Sequence, residues 1–341
     1  TAVTVAGTVA TADTQMDIGV YGVSADATLS AGAGTANLGA ATVADGVTLT
    51  LGDGSATAFN AVSVDNVTTA NSSSLVINTT GAVVISGAVG ATQPLNTVTV
   101  TQSGGVGFQS TVAAANVVLT DTADGSTVAF QGNLTVGTGM TVSNGGADNY
   151  NVSMTGALNS VAGATSFTNG GSVTLGDGAA DRLTFTGGLD TSAGPSGTST
   201  FGTVVTTNTA MALGAVTLDG ATTLSAGSAA ITTGTVSDGA NSYTLTLFED
   251  LAGSTGSVSF GGAVTVAAVA TVGRGYDVAF NGGGTVDADT NFLNTGTVAL
   301  GDDAADILTF TGGLDTTAGP TAVTVAGTVA TADTQMDIGV Y

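Results

Sequence analysis

Residues 175–195 read LGDGAADRLTFTGGLDTSAGP and residues 300–320 read LGDDAADILTFTGGLDTTAGP, a match at 18 of 21 positions with an offset of 125. The centre of each block, Leu-Thr-Phe-Thr from Leu183 and from Leu308, alternates apolar and hydroxyl side chains. A period of two places Leu and Phe on one face of a strand and Thr on the other. Gly187-Gly188 and Gly312-Gly313 follow directly, and paired glycines mark a tight corner. The block is a strand and a corner that recur, so the repeat decides how the rest of the chain is read.

Two further repeats surround it. Residues 1–21, TAVTVAGTVATADTQMDIGVY, return unchanged as residues 321–341, a period of 320 residues. TVAFQGNLTV, ending at Val136, resembles SVSFGGAVTV, ending at Val266, and Tyr150-Asn-Val-Ser-Met154 resembles Tyr276-Asp-Val-Ala-Phe280. Gly7-Thr-Val and Leu29-Ser-Ala-Gly32 match Gly202-Thr-Val and Leu224-Ser-Ala-Gly227 at an offset of 195. The organisation is therefore a long sub-repeat, 1–195, a short one, 196–320, and the start of the next unit, 321–341. The sub-repeats differ by 70 residues, three to four coils at about 20 residues each. A stack of coils gains or loses whole coils without rebuilding a shared core, which a closed sandwich cannot do as readily. Axial continuation is expected at both ends.

Similar alternation fills Val47-Thr-Leu-Thr-Leu51, Thr97-Val-Thr-Val-Thr101 and Leu245-Thr-Leu247, separated by Gly-Asp-Gly at 52–54 and by Gly104-Gly105, Gly145-Gly146 and Gly282-Gly-Gly284. No sustained 3.6-residue apolar stripe is present, so helix content should be minimal. The expected fold is all-β, a parallel β-solenoid (β-helix) rod. At about 20 residues per coil and about 4.8 Å per coil, 320 residues give roughly 16 coils and a rod of about 75 Å. Phe185 and Phe310 are expected at equivalent inward positions, where an aromatic ring fills the core. The competing architecture is a tandem array of antiparallel β-sandwich modules stiffened by calcium.

Composition narrows the function. With 43% hydrophobic residues the chain can bury enough surface to fold, unlike a disordered Gly/Ser/Thr tract. Charged residues are 8% of the chain, against about 25% in an ordinary domain. A net charge of -23, with Arg182 and Arg274 as the only basic side chains, excludes nucleic acid as a partner. The same charge keeps a long polymer soluble. Cysteine is absent, so the chain holds neither disulfides nor thiolate metal sites. No apolar run is long enough to span a membrane.

The LGDxAADxLTFTGGLDTxAGP block, the Leu-Ser-Ala-Gly segments and the Thr/Val/Gly alternation resemble the giant β-strand-repeat surface proteins of bacteria, among them filamentous-haemagglutinin-like adhesins and autotransporter passenger regions. The resemblance runs over essentially the whole chain and rests on composition and repetition. It implies a right-handed parallel β-solenoid, export to the bacterial cell surface or the extracellular space, and adhesive, biofilm or filament duty. The implied partners are the protein itself, through axial continuation, and host or matrix surface glycans. The chain shows neither the secretion domain nor the translocating barrel of those proteins.

Candidate sites are few. His, Cys, Lys and Trp are all missing, which removes the usual general bases, nucleophiles and imidazole ligands, so no catalytic residue is assigned. Paired aspartates leave open a polysaccharide-cleaving β-helix, but they sit in turn signals and recur with the repeat. No cofactor is required. Calcium is the metal that carboxylates and turn carbonyls suit, and its candidate ligands are Asp177 with Asp181, Asp302 with Asp303 and Asp306, and Asp287 with Asp289. The competing reading makes each an Asp-turn on a solvated surface. Asn66, Asn71, Asn78, Asn133 and Asn151 open N-glycosylation patterns, which chance supplies readily in a chain so rich in Ser and Thr. Arg182 is replaced by Ile307 in the second block, which predicts a surface position with no required charge.

Overall fold

Alternating Val, Leu, Ile and Phe between corners that hold Gly, Asp or Asn can bury one face only if strands stack on strands, and the chain does so. The computed structural model describes residues 3–66, 72–144, 146, 148–248 and 250–339. Among the described residues it is all-β without helix, its strands pairing in parallel as a β-solenoid of about 14 turns. Parallel pairing overturns the β-sandwich alternative, whose modules need antiparallel strands. The chain divides into two compact units, Thr1–Val173 and Thr174–Tyr341.

In the first unit each turn passes through three columns of strands. One inward column runs Tyr21, Ala41, Val64, Val89, Val112 and Leu134. A second runs Leu29, Leu51, Ile77, Val100, Leu119, Val142 and Phe167. The third runs Ala36, Phe59, Val83, Val106, Val128 and Val152. Every residue named in the three columns points inward and is at most 3% exposed. The ladders satisfy backbone donors and acceptors while the columns remove apolar area from water.

The second unit repeats the plan. One column runs Leu189, Met211, Ile231, Val258, Val278, Val298 and Val323. Another runs Thr198, Val216, Val236, Val264, Gly284 and Leu308. Leu183 starts the third, followed by Val204 and Leu224. Near the end of this unit Phe280, Phe292 and Phe310 meet edge to face, with centroids 6.0 to 6.3 Å apart.

The strands expected from alternation are present as Thr48–Leu51, Leu95–Gln102, Arg182–Phe185, Thr244–Leu247 and Ile307–Phe310. Phe185 and Phe310 are both fully buried. The turns are longer than expected. Register steps range from 18 residues, Val3 to Tyr21, to 28, Val236 to Val264, so the chain winds fewer turns than the roughly 16 that a 20-residue coil implies. The excess lies in corner loops, where no alternation marks it. Of the corner glycines, Gly145 lies outside the described residues. In the pair Gly312-Gly313 the second residue takes φ +126, while a side chain on the first would strike the backbone of Asp289 in the preceding turn.

The 125-residue duplication does not bring its copies onto one face. Five register steps lead from Thr198 through Val216, Val236, Val264 and Gly284 to Leu308, and two more strands, Leu314–Asp315 and Ala322–Val325, reach the copy of Thr198 at Val323. Matching residues thus stand in neighbouring columns, five and two-thirds turns apart.

Candidate functional site

The Asp-rich corners of the duplicated block are built alike. Asp181 is 7% exposed, and its Oδ2 accepts the N–H groups of Asp177 at 2.8 Å and Gly178 at 2.9 Å. In the second copy Asp306 Oδ2 accepts those of Asp302 at 2.8 Å and Asp303 at 3.2 Å, and Asp303 Oδ1 accepts that of Ala305 at 2.6 Å. The carbonyls of Asp181 and Asp306 receive the N–H groups of Thr203 and Thr328 from the following turn, each at 2.8 Å. Each motif is a clasp that closes one corner and seats the next turn. The backbone donors hold the Asp306 carboxyl below the usual carboxylate range. Desolvation and the neighbouring Asp181 carboxylate push Asp177 up, and desolvation followed by the charge of Asp306 pushes Asp302 up.

The structure brings Asp177 to Asp181, and Asp302 and Asp303 to Asp306, but as turn clasps. The two clusters face different sides because of the two-thirds turn between them. Asp287 and Asp289 are exposed, and Asp289 Oδ2 accepts Asn291 Nδ2 at 3.3 Å. Among the described residues no three His, Cys, Asp or Glu side chains are grouped to hold a metal ion.

The Leu-Ser-Ala-Gly repeat has a stacking cause. Asp13, Asn208 and Asp333 are equivalent positions, and all three adopt the left-handed region, at φ 56, 57 and 54. In the next turn Gly32 and Gly227 are also left-handed, at φ 60 and 61, and a Cβ on either would collide with the side-chain oxygen of Asp13 or Asn208. That oxygen accepts the N–H of Ala33 at 2.8 Å in one copy and of Ser228 at 2.9 Å in the other. Short polar side chains tolerate the left-handed region, and glycine enters it freely.

A polar ladder edges the start of the first unit. Asn60 Nδ2 donates to Asn37 Oδ1 at 3.1 Å, and Asn37 Nδ2 donates to Asp17 Oδ1 at 2.8 Å. Hydrogen bonds from Asn37 and then Gln15 lower the Asp17 pKa. Beside the ladder lies an open groove of about 580 Å³ floored by Ile18, Leu38, Val62 and Val84. Other asparagines serve the stack in the same way. Asn133 Oδ1 accepts the N–H of Leu158 at 3.0 Å, Asn151 Oδ1 that of Ser172 at 2.8 Å, and Asn78 Oδ1 the side chain of Gln102 at 3.0 Å. Asn66 is buried, with Nδ2 on Asp45 Oδ1 at 3.0 Å. Residues 67 and 68 of its glycosylation pattern, and Asn71, lie outside the described residues.

Arg182 is 38% exposed in its side chain, and its charge has a partner. Its guanidinium grips the Asp250 carboxylate through both terminal nitrogens, one at 2.8 Å. Arg274 Nη1 donates to the carbonyls of Phe248 and Leu251. Both cations of the chain therefore clamp one corner, at Phe248, Asp250 and Leu251. Ile307, at the matching position of the second copy, stands 61% exposed.

Two further positions went unread in the sequence. Asn169 and Asn294, again 125 apart, are fully buried and donate through Nδ2 to the carbonyls of Tyr150 at 2.8 Å and Tyr276 at 3.0 Å. Their signal was available: Phe167 and Phe292, two residues earlier, are also paired and buried, so the duplicated block extends upstream. Comparison with known proteins adds no relative, since no protein-family model, curated protein or solved structure matches the chain.

Proposed function

We propose that this chain is a structural and adhesive segment of an extracellular or cell-surface protein, a rod of stacked turns that supplies length and stiffness and meets matrix glycans through its outward faces. The observation that supports this reading is the use made of the polar side chains. The carboxylates and amides that could form a site instead accept backbone N–H groups within a corner or from the next turn, as Asp181, Asp306, Asp13, Asn133 and Asn151 do. A side chain engaged in that way is poorly free to act as acid, base or nucleophile. The groups left facing outward along the strands are mainly Thr, Ser, Asn and Ala, which give a repetitive, uncharged surface suited to many weak contacts.

The test combines diffraction from oriented, purified protein with two solution assays. The reading expects a spacing of about 4.8 Å along the long axis, retention of the chain on immobilised matrix glycans, and no new reducing ends in neutral or acidic polysaccharides. Sugar release would replace it with the polysaccharide-cleaving alternative. Absence of the axial spacing would remove the rod.

A further inference from the structure

The open groove of about 580 Å³ on the first unit has two sides of different chemistry. One is the ladder of Asp17, Asn37 and Asn60, which stand opposite one another in three successive turns. The other is aliphatic. Val62 follows Asn60 by two residues on the strand Ala58–Asp65, so both point outward, and Val62 is 51% exposed. Val84 closes the ladder column in the fourth turn. Between the two sides Gly39 keeps the floor bare, since a Cβ there would fall 2.5 Å from the backbone of Gly19 in the preceding turn. Four turns at about 4.8 Å each step make a trough about 14 Å long. The polarity of the column does not depend on where the segment stands: in its second copy Asp337, the counterpart of Asp17, lies opposite Asp315, and Asp315 lies opposite Asn291.

The ladder leaves bonding capacity for a ligand. Asn60 and Asn37 each use one Nδ2 hydrogen on the next side chain, and each keeps a second. Among the described residues no donor reaches Asn60 Oδ1. The Asp17 carboxylate is met only by the neutral amides of Gln15, at 2.8 and 2.9 Å, and Asn37, so its charge is not cancelled. No basic side chain lines the groove, and the chain carries a net charge of -23. An anionic ligand is therefore repelled, and a ligand with a positive group is drawn to the Asp17 end. The remaining surface calls for an uncharged group that offers an amide to Asn37 and Asn60 and apolar C–H to Val62. An acetamido sugar has these parts: an N–H and a C=O that pair with a carboxamide, a methyl and ring C–H for the aliphatic side, and an ammonium wherever the acetyl group has been removed.

We propose that this groove seats a partly deacetylated, β-linked N-acetylhexosamine polymer lying across the turns, with an acetamide on the Asn37 and Asn60 amides, its methyl on Val62, and the ammonium of a deacetylated ring at Asp17. The inference rests on the glycan-binding reading above and names its site and its sugar class. Charge complementarity fixes the occupant. An acidic polysaccharide is repelled by Asp17, and a plain hexose polymer leaves both the ladder amides and the carboxylate without their partners.

Titration calorimetry of the full chain tests this with four probes: a half-deacetylated hexamer of β-linked N-acetylglucosamine, the fully acetylated hexamer, cellohexaose and a galacturonate hexamer. The half-deacetylated hexamer should bind tightest, about tenfold or more above cellohexaose, because a site built to hydrogen-bond a group rejects the analogue that lacks it. Added salt should weaken its binding and leave that of the fully acetylated hexamer unchanged. Asp17→Asn should erase the preference between those two. Val62→Lys, which breaks no hydrogen bond and changes an exposed position, should lower the affinity for the half-deacetylated hexamer about tenfold through lost apolar contact and charge repulsion, while Thr99→Ala, outside the groove, should not. Circular dichroism of each variant verifies the fold. If the hexosamine binds Val62→Lys as well as the parent chain, or cellohexaose binds the parent equally well, the groove assignment is overturned and the glycan-binding reading stands. If a basic hexapeptide binds in the groove and the sugars do not, the partner is a protein and the assignment is likewise overturned. If no sugar binds and immobilised matrix glycans retain none of the chain, the adhesive reading falls with it.

Discussion

At the scale of single residues, position matters more than residue type. Gly32 and Gly46 are both left-handed, at φ 60 and 72, but Gly32 lies against Asp13 of the preceding turn while Gly46 faces open space. Gly46→Ala should cost about 1 kcal/mol, the price of a left-handed alanine. Gly32→Ala carries the same strain plus a collision, and about 2 to 4 kcal/mol is expected. Urea unfolding of the two variants checks the difference. The tyrosines give a pH prediction. Burial pushes the Tyr276 phenol up to about 12 from 10.0 and pushes Tyr21 and Tyr150 higher. A folded pKa above the unfolded value means that this stability is complete below about pH 10 and is lost as pH rises from there toward 12. In a spectroscopic titration the three buried phenols should ionise only together with loss of β circular dichroism.

Elements are held by contacts between turns, and the corner loops show this best. The corner at Phe248, Asp250 and Leu251 is pinned by Arg182, Arg274 and the packing of buried Phe248 on Tyr276, with ring centroids 4.6 Å apart. Arg182 is 38% exposed in its side chain, so solvent screens its ion pair, and Arg182→Ala should lower global stability by about 1 kcal/mol or less. Its local effect should be larger. Amide exchange in residues 248–255 should accelerate several-fold in Arg182→Ala and in Arg274→Ala, while amides in the strands Ser257–Phe260 and Asp277–Phe280 keep their protection. Equal acceleration everywhere would mean that the clamp belongs to the core and not to the loop. The strands needed no such devices, since alternation at Leu183-Thr-Phe and Leu308-Thr-Phe announces them in the sequence.

For the whole molecule the natural unit is a turn. Val278 and Val298 occupy the same place in successive turns, so deleting residues 278–297 removes one complete register step and keeps every later side chain facing the same way. That variant should retain a cooperative unfolding transition. Deleting residues 278–287 should not, because the chain would re-enter the stack in the wrong column with its corners displaced. Circular dichroism through a denaturant titration separates the two cases. Chelation is a second whole-molecule test. The Asp181 and Asp306 carboxylates already accept backbone N–H groups, so EDTA should leave the melting temperature unchanged, and a fall of several degrees would show that calcium shares these corners. The net charge of -23, carried by aspartates concentrated at corners, leaves the strand faces between them nearly uncharged. Repulsion between corners opposes lateral clumping.

The sequence alone determined that the chain is built of strands, that they face a narrow core, and that the pattern recurs, because period-two alternation and duplication are local properties that each segment carries by itself. Phe185, Phe310 and the Leu-Thr-Phe-Thr strands were readable on those grounds. The length of a turn, the two-thirds turn between the 125-residue copies, the seat of Gly32 on Asp13 and the pairing of Arg182 with Asp250, 68 residues away, were decided only by the tertiary structure. Each depends on which residue lies in the adjacent turn, and that is set by the cumulative length of the corner loops. A loop of variable length leaves the alternation on either side intact, so the sequence shows the strands and the stack decides who meets whom.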